Sequence, residues 1–115
     1  MDFNALQERL RQFAGERDWD PFHSPKNLAM ALAGEVGEVL EHFQWLTESQ
    51  SRNLPPQVRE AVALELADVL LYLVRLADQV GVDLAGAAIR KIELNALKYP
   101  ADEVRGRSGR PRRTE

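Results

Sequence analysis

Apolar residues recur along this chain at helical intervals and never in strict alternation. Phe3, Leu6, Leu10 and Phe13 fall three or four residues apart, which predicts a first helix with Asp2 as its cap and Gly15 as its stop. Ser24-Pro25 opens a second, because serine caps well and proline at the first helical position lacks only an N–H that would have no partner there. This helix is expected to run to about Leu46. The polar stretch TESQSRN and Pro55-Pro56 separate it from a third helix ending near Gly81, and Asp83 caps a fourth that ends before Pro100. With no strand pattern anywhere, the predicted fold is all-α, an antiparallel four-helix bundle.

At about 100° per residue the second helix gathers Leu28, Leu32, Val36, Val39, Leu40, Phe43 and Leu46 into one stripe. The third helix has such a stripe in Val62, Leu66, Val69, Leu73, Leu76 and Val80, but Leu64, Leu70, Leu71 and Val74 cover most of its remaining circumference. A helix apolar nearly all round must be buried on more than one side, and four helices of this length offer too few faces. A homo-oligomer is therefore expected to complete the bundle.

Composition narrows the picture without changing it. A chain of 115 residues, 44% hydrophobic and 29% charged, suits one domain, assigned to residues 1–100, with 101–115 as a flexible basic tail. The absence of cysteine removes disulfides and cysteine-based zinc sites. The longest apolar run, Val69 to Val80, is broken by Arg75 and Asp78 and falls short of the roughly 20 residues a bilayer demands. No positively charged start leads into an apolar run, so a cytoplasmic location with no membrane partner is expected. Five arginines against three acids give the tail +2, which leaves −5 of the net −3 on the rest. An acidic body argues against a nucleic-acid partner.

The chemistry is concentrated in two pairs of acids. Glu35-Val36-Gly37-Glu38 and Glu65-Leu66-Ala67-Asp68 each space two carboxylates three residues apart, about 60° around a helix and roughly 4.5 Å along it, so each pair serves one side. Glu65 and Asp68 lie among leucines with no lysine or arginine within four residues. Like charges there repel and resist desolvation, and something must compensate them. Four oxygen donors without cysteine or histidine suit a hard cation, Mg²⁺ first and Mn²⁺ as a substitute. A di-iron bundle would need Glu-x-x-His, and neither His23 nor His42 stands three residues after a glutamate. His42 reads as a surface or packing residue. Gly34 and Gly37 flank the first pair, and a helix crossing explains them as well as a ligand does.

Tyr72 follows Asp68 by one turn, Trp45 lies beyond Glu38, and Trp19 shares the interhelical loop with Phe22 and His23. Such aromatics either pack locally or stack a flat base. On the fourth helix Lys91, Asn95 and Lys98 form one polar stripe, either a solvated face or contacts to phosphate and sugar. No GxxxxGK[ST] loop is present.

Three stretches, ERDWDPFHSPKNLAMALAGEVGEVLEHFQW, ELADVLLYLVRLAD and KIELNALKYP, resemble the MazG-like all-α nucleoside triphosphate pyrophosphohydrolases, especially the dCTP pyrophosphatase branch. The resemblance runs from about Leu6 to Pro100. It implies that Glu35, Glu38, Glu65 and Asp68 are catalytic residues holding Mg²⁺ at a triphosphate. It also implies a base pocket of Trp19, His23, Trp45 and Tyr72 with Asn27 nearby, and sugar or phosphate contacts from Lys91, Asn95, Lys98 and Tyr99. The implied reaction cleaves a (deoxy)nucleoside triphosphate between the α- and β-phosphates, in a dimer or a tetramer built as a dimer of dimers. The alternatives are a non-hydrolysing metal- and nucleotide-binding regulatory module with the same fold, and a purely structural helical oligomer.

Overall fold

The structure is a computed structural model that describes residues 2–109. It contains α1 (Phe3–Glu16), α2 (Pro25–Glu41), α3 (Glu48–Arg52), α4 (Pro56–Gln79), α5 (Leu84–Lys98) and α6 (Ala101–Val104), with a 3-10 turn at Asp20–Phe22 between α1 and α2. All four expected helices are present, and no strand occurs among the described residues. The chain divides into two compact units between Val82 and Asp83. In the first unit α4 packs against both α2 and α1, so three of the four expected helices are joined through α4. The fourth, α5, belongs to the second unit.

Local chemistry sets most boundaries where the sequence predicts them. The Asp2 carboxylate accepts the Ala5 N–H at 2.6 Å, Ser24 Oγ accepts the Asn27 N–H at 3.2 Å, and the Asp83 carboxylate accepts the Gly86 N–H at 3.1 Å, each satisfying an amide that a helix start leaves unpaired. At the end of α4, Gly81 takes the left-handed conformation (φ 71°) while the Val82 N–H donates back to the Ala77 carbonyl.

Four boundaries differ from expectation. Gly15 does not stop α1. Instead Asp18 adopts the left-handed cap conformation (φ 54°), with the Trp19 N–H donating to Ala14 O at 3.0 Å and the Asp18 N–H to Gly15 O at 3.2 Å. Aspartate tolerates this conformation better than most residues. α2 ends at Glu41, five residues before Leu46, because the chain tightens into three-residue bonds (Phe43 N–H to Leu40 O, Leu46 N–H to Phe43 O) and then restarts. The restart is α3, inside the polar stretch expected to be a linker. Thr47 and Gln50 exchange side-chain and backbone bonds in a capping box that the T-x-x-Q spelling encodes. The expected tail opens with the short helix α6, and its last six residues lie outside the described ones.

The core of the first unit is Ala14, Leu28, Val62, Val74 and Ala77, with one charged residue, Arg75, only 5% exposed among them. The apolar stripes extend well past it. Val36, Leu40 and Leu46, expected to be buried on the second helix, are exposed, as are Leu66 and Val80 on the third, together with Leu64 and Leu70. A stripe wider than its partner helix leaves its edges in water.

Candidate metal centre and adjoining cavity

α2 and α4 meet with their acids facing. One carboxylate oxygen from each of Glu35, Glu38 and Glu65 lies within 4.8 Å of the others, so the first acidic pair converges with Glu65 of the second. Glu38 is exposed, whereas Glu35 and Glu65 are half-buried, and Oε2 of each is buried without a hydrogen-bond partner among the described residues. Two orphaned carboxylate oxygens against a third acid is an arrangement that protons or a cation must relieve. The Glu65 carboxyl is pushed up to about 7, first by its hydrogen-bonding approach to Glu38, then by burial, then by the charges of Glu38, Glu35 and Asp68. Glu35 is raised too, mainly by burial and next by Glu38. Oxygens bound at about 2.1 Å to a small divalent ion lie no more than about 4.2 Å apart, a span this cluster reaches with a modest contraction. The donor set and the orphaned oxygens fit a hard divalent cation.

Asp68 stands outside this triplet, yet its charge is felt by both Glu35 and Glu65. It lines a cavity of about 270 Å³ together with Leu10, Phe13, Ala14, Trp19, His23, Leu71, Tyr72 and Arg75. The cap that ends α1 builds this cavity's aromatic wall. Asp18 turns the chain so that the Trp19 ring meets the Phe13 ring edge to face, centroids 5.7 Å apart, with the His23 ring 6.1 Å from Trp19 on its other contact. The 3-10 turn is held by the Asn27 side-chain amide, which donates to Phe22 O at 3.0 Å. Asn27 thus supports the loop and does not line the cavity.

The sequence-predicted residues therefore divide. Glu35, Glu38, Glu65 and Asp68 come together electrostatically, and Asp68 adjoins Trp19, His23 and Tyr72 around one cavity. Trp45 does not join them: it follows the end of α2 and is 83% exposed. Lys91, Asn95 and Lys98 stand on α5, and Tyr99 caps it, donating its N–H to Asn95 O at 2.7 Å with Lys98 Nζ 5.6 Å from its ring. All four belong to the second unit. His42 lines a different cavity with Glu41, Leu46 and Leu54, in keeping with a packing role.

Sequence reasoning passed over Arg75 and Asp78, reading them only as breaks in an apolar run. Arg75 donates from Nε to His23 Nδ1 at 3.2 Å and from NH2 to Asp20 Oδ1 at 2.7 Å. Asp78, which Arg11 grips with two bonds, is held below the usual carboxylate range chiefly by that contact. Two opposite charges three residues apart inside the otherwise largely apolar run Val69 to Val80 were the available signal.

The chain is 50% identical over 97 residues to dCTP pyrophosphatase 1 of Mus musculus, an alignment covering 83% of this chain and 57% of that protein. It is 48% identical over 99 residues to dCTP pyrophosphatase 1 of Homo sapiens, covering 84% and 58%. The chain thus spans little more than half the length of these curated relatives. A crystal structure of a pyrophosphatase from Archaeoglobus fulgidus superposes with a TM-score of 0.74 at 40% identity, covering 84% of this chain and 91% of that one. Residues 31–110, which include both acidic pairs, match the MazG-like family, and the chain belongs to that family.

Proposed function

We propose that this chain is a Mg²⁺-dependent nucleoside triphosphate pyrophosphohydrolase. It cleaves dCTP or a related pyrimidine or modified deoxynucleotide to the monophosphate and pyrophosphate, clearing the nucleotide pool of the cytoplasm. The observation that carries this reading is the adjacency of two features. Three facing carboxylates, two of them with an orphaned buried oxygen, stand beside an aromatic cavity that Asp68 helps to line.

Each part has a task in that reaction. Trp19 and Tyr72 offer ring faces to a base, and His23 offers a ring nitrogen to its edge. Glu35, Glu38, Glu65 and Asp68 are the residues that would hold the cation, with one of the first pair left free as a base, and the cation would neutralise phosphate charge and act as a Lewis acid. A carboxylate of the Glu35–Glu38 pair takes the proton of the attacking water, and the water oxygen bonds to phosphorus as pyrophosphate leaves. Lys91, Asn95 and Lys98 on α5, with Tyr99 at its cap, are side chains suited to a phosphate or a sugar.

A second copy completes the bundle, giving a dimer or a tetramer as a dimer of dimers. Exposed Val36 and Leu40 on α2 and Leu64, Leu66 and Leu70 on α4 support this, since isolated apolar side chains are ordinary at a surface but adjoining helix faces of them are not. Trp45, 83% exposed in the single chain, would then complete a base pocket of the assembly. The test is pyrophosphate and monophosphate release from a panel of deoxynucleoside triphosphates with Mg²⁺. Turnover of a pyrimidine substrate, lost in Glu38→Gln and Asp68→Asn, is expected; full activity in both variants would reject the assignment.

A further inference from the structure

Among the described residues Arg75 is the one charged residue in the buried core of the first unit, and the cation centre makes no use of it. Its guanidinium is held from three directions: Nε against His23 Nδ1 at 3.2 Å, NH2 against Asp20 Oδ1 at 2.7 Å, and NH1 3.6 Å from Asp78 Oδ2. Asp78 is fixed in turn by Arg11, Nε to Oδ2 at 2.7 Å and NH2 to Oδ1 at 2.6 Å. The chain of contacts runs from α1 through α4 to the loop that carries His23. We infer that Arg75 is a positioning residue that locks His23 in the tautomer with its proton on Nε2, so that this wall of the cavity meets its ligand with a hydrogen-bond donor.

The argument rests on what the two groups can and cannot do. A guanidinium carries only donors and keeps its proton throughout the range in which proteins fold. The nitrogen it faces must therefore accept, and an imidazole whose Nδ1 accepts carries its proton on Nε2. A doubly protonated ring would set N–H against N–H. Burial and the Arg75 charge keep the ring neutral by lowering its affinity for a second proton, against the smaller pull of Asp20. Nε2, on the far side of the ring from Arg75, has no hydrogen-bond partner among the described residues. An N–H there selects for an acceptor on the ligand, a keto oxygen or an unprotonated ring nitrogen. A base edge showing an amino group at that place would leave both donors unpaired, a costly mismatch in a partly dry cavity.

The identity of the ligand rests on the pyrophosphohydrolase reading, but the state of the ring does not, so the two fail separately. Long-range ¹H–¹⁵N spectra of the full-length protein at neutral pH, with the His23 signals assigned by their loss in His23→Gln, report the tautomer directly. The expected pattern is an acceptor-type Nδ1 and a protonated Nε2; a protonated Nδ1 overturns the inference whether or not any nucleotide is turned over. In Arg75→Met the ring should become a mixture of tautomers. With the best substrate of the panel, KM should rise about tenfold while kcat changes less than about threefold, as expected for lost uniform binding. Arg75→Met introduced into His23→Gln should add no further rise in KM, because its effect acts through His23. An additive rise, or an unchanged tautomer in Arg75→Met, overturns the positioning role.

Discussion

Arg11 on α1 and Asp78 on α4 form a two-pronged ion pair across 67 residues of sequence, with bonds of 2.6 and 2.7 Å. The carboxylate is largely buried while half of the arginine remains in water. Planar guanidinium matches planar carboxylate here, so the pair fixes angle as well as distance between two helices. It also anchors Arg75, and through Arg75 the loop that walls the cavity.

Arg11→Met should lower the melting temperature by roughly 5 °C at pH 7, the effect of losing one good charge-assisted contact in a domain of this size. The sign of its pH dependence follows from Asp78. A carboxylate held below its ordinary 3.8 adds stability above that pH and loses it as the pH falls through the depressed value. The gap between wild type and Arg11→Met should therefore be full at pH 7 and close as the pH falls below 3.8 through the depressed value. Thermal melts of both proteins across that range measure it, and a gap independent of pH would mean that the ion pair contributes nothing.

The acids of α2 and α4 predict the opposite slope in a different window. Glu65, pushed up to about 7 from an ordinary 4.5, and Glu35, also raised, hold protons in the folded state that the unfolded chain has released. Stability from this source is present below about 4.5 and is lost as the pH rises toward 7. After EDTA treatment the melting temperature should fall between pH 5 and 7.5, and Glu65→Gln should flatten that fall. Mg²⁺ added at pH 7.5 should restore the wild type, because a ligand bound by the folded state alone stabilises it.

Glu38→Gln separates function from stability at the same centre. Removing the charge that presses on both Glu35 and Glu65 should raise the melting temperature of the metal-free protein at pH 7.5. It should also cut kcat/KM by about 100-fold or more, since a preorganised carboxylate at the reacting phosphates is lost. Calorimetric melts and a pyrophosphate-release assay on the same preparation test the pair. A destabilised Glu38→Gln in EDTA would contradict the repulsion on which the cation assignment depends.

What could be read from the chain follows from which forces are local. Asp2, Ser24 and Asp83 declared their helix starts because a cap needs only its own next three residues, and helical spacing put each acidic pair on one side of its helix, whereas the facing of Glu35 and Glu38 with Glu65 comes from the packing of α2 on α4. Arg75 was not readable as a partner of His23, since 52 residues separate them and only the packing of α4 on the loop brings them within 3.2 Å. The end of α1 was missed for a subtler reason: the residue in the left-handed conformation is Asp18, while glycine, the usual occupant, stood three residues earlier inside the helix. The burial of the apolar stripes was overread because a wheel shows which face is apolar and not how much of it one chain can cover. Val36, Leu40, Leu66 and Val80 remain exposed on that account.

Those uncovered faces make Trp45 a reporter. At 83% exposure it emits from water in a single chain, whereas Trp19, packed against Phe13 and beside His23, emits from a surrounding that assembly need not alter. If a second copy covers the end of α2, Trp45 emission should lie to the blue in concentrated protein and move red on dilution, in step with the loss of mass seen by light scattering. Trp45→Phe should abolish the shift, and Trp19→Phe should preserve it while weakening nucleotide binding at every concentration. An emission spectrum that stays fixed while the mass falls would remove Trp45 from the assembled pocket, leaving the base to the cavity formed by Trp19, His23 and Tyr72 within one chain.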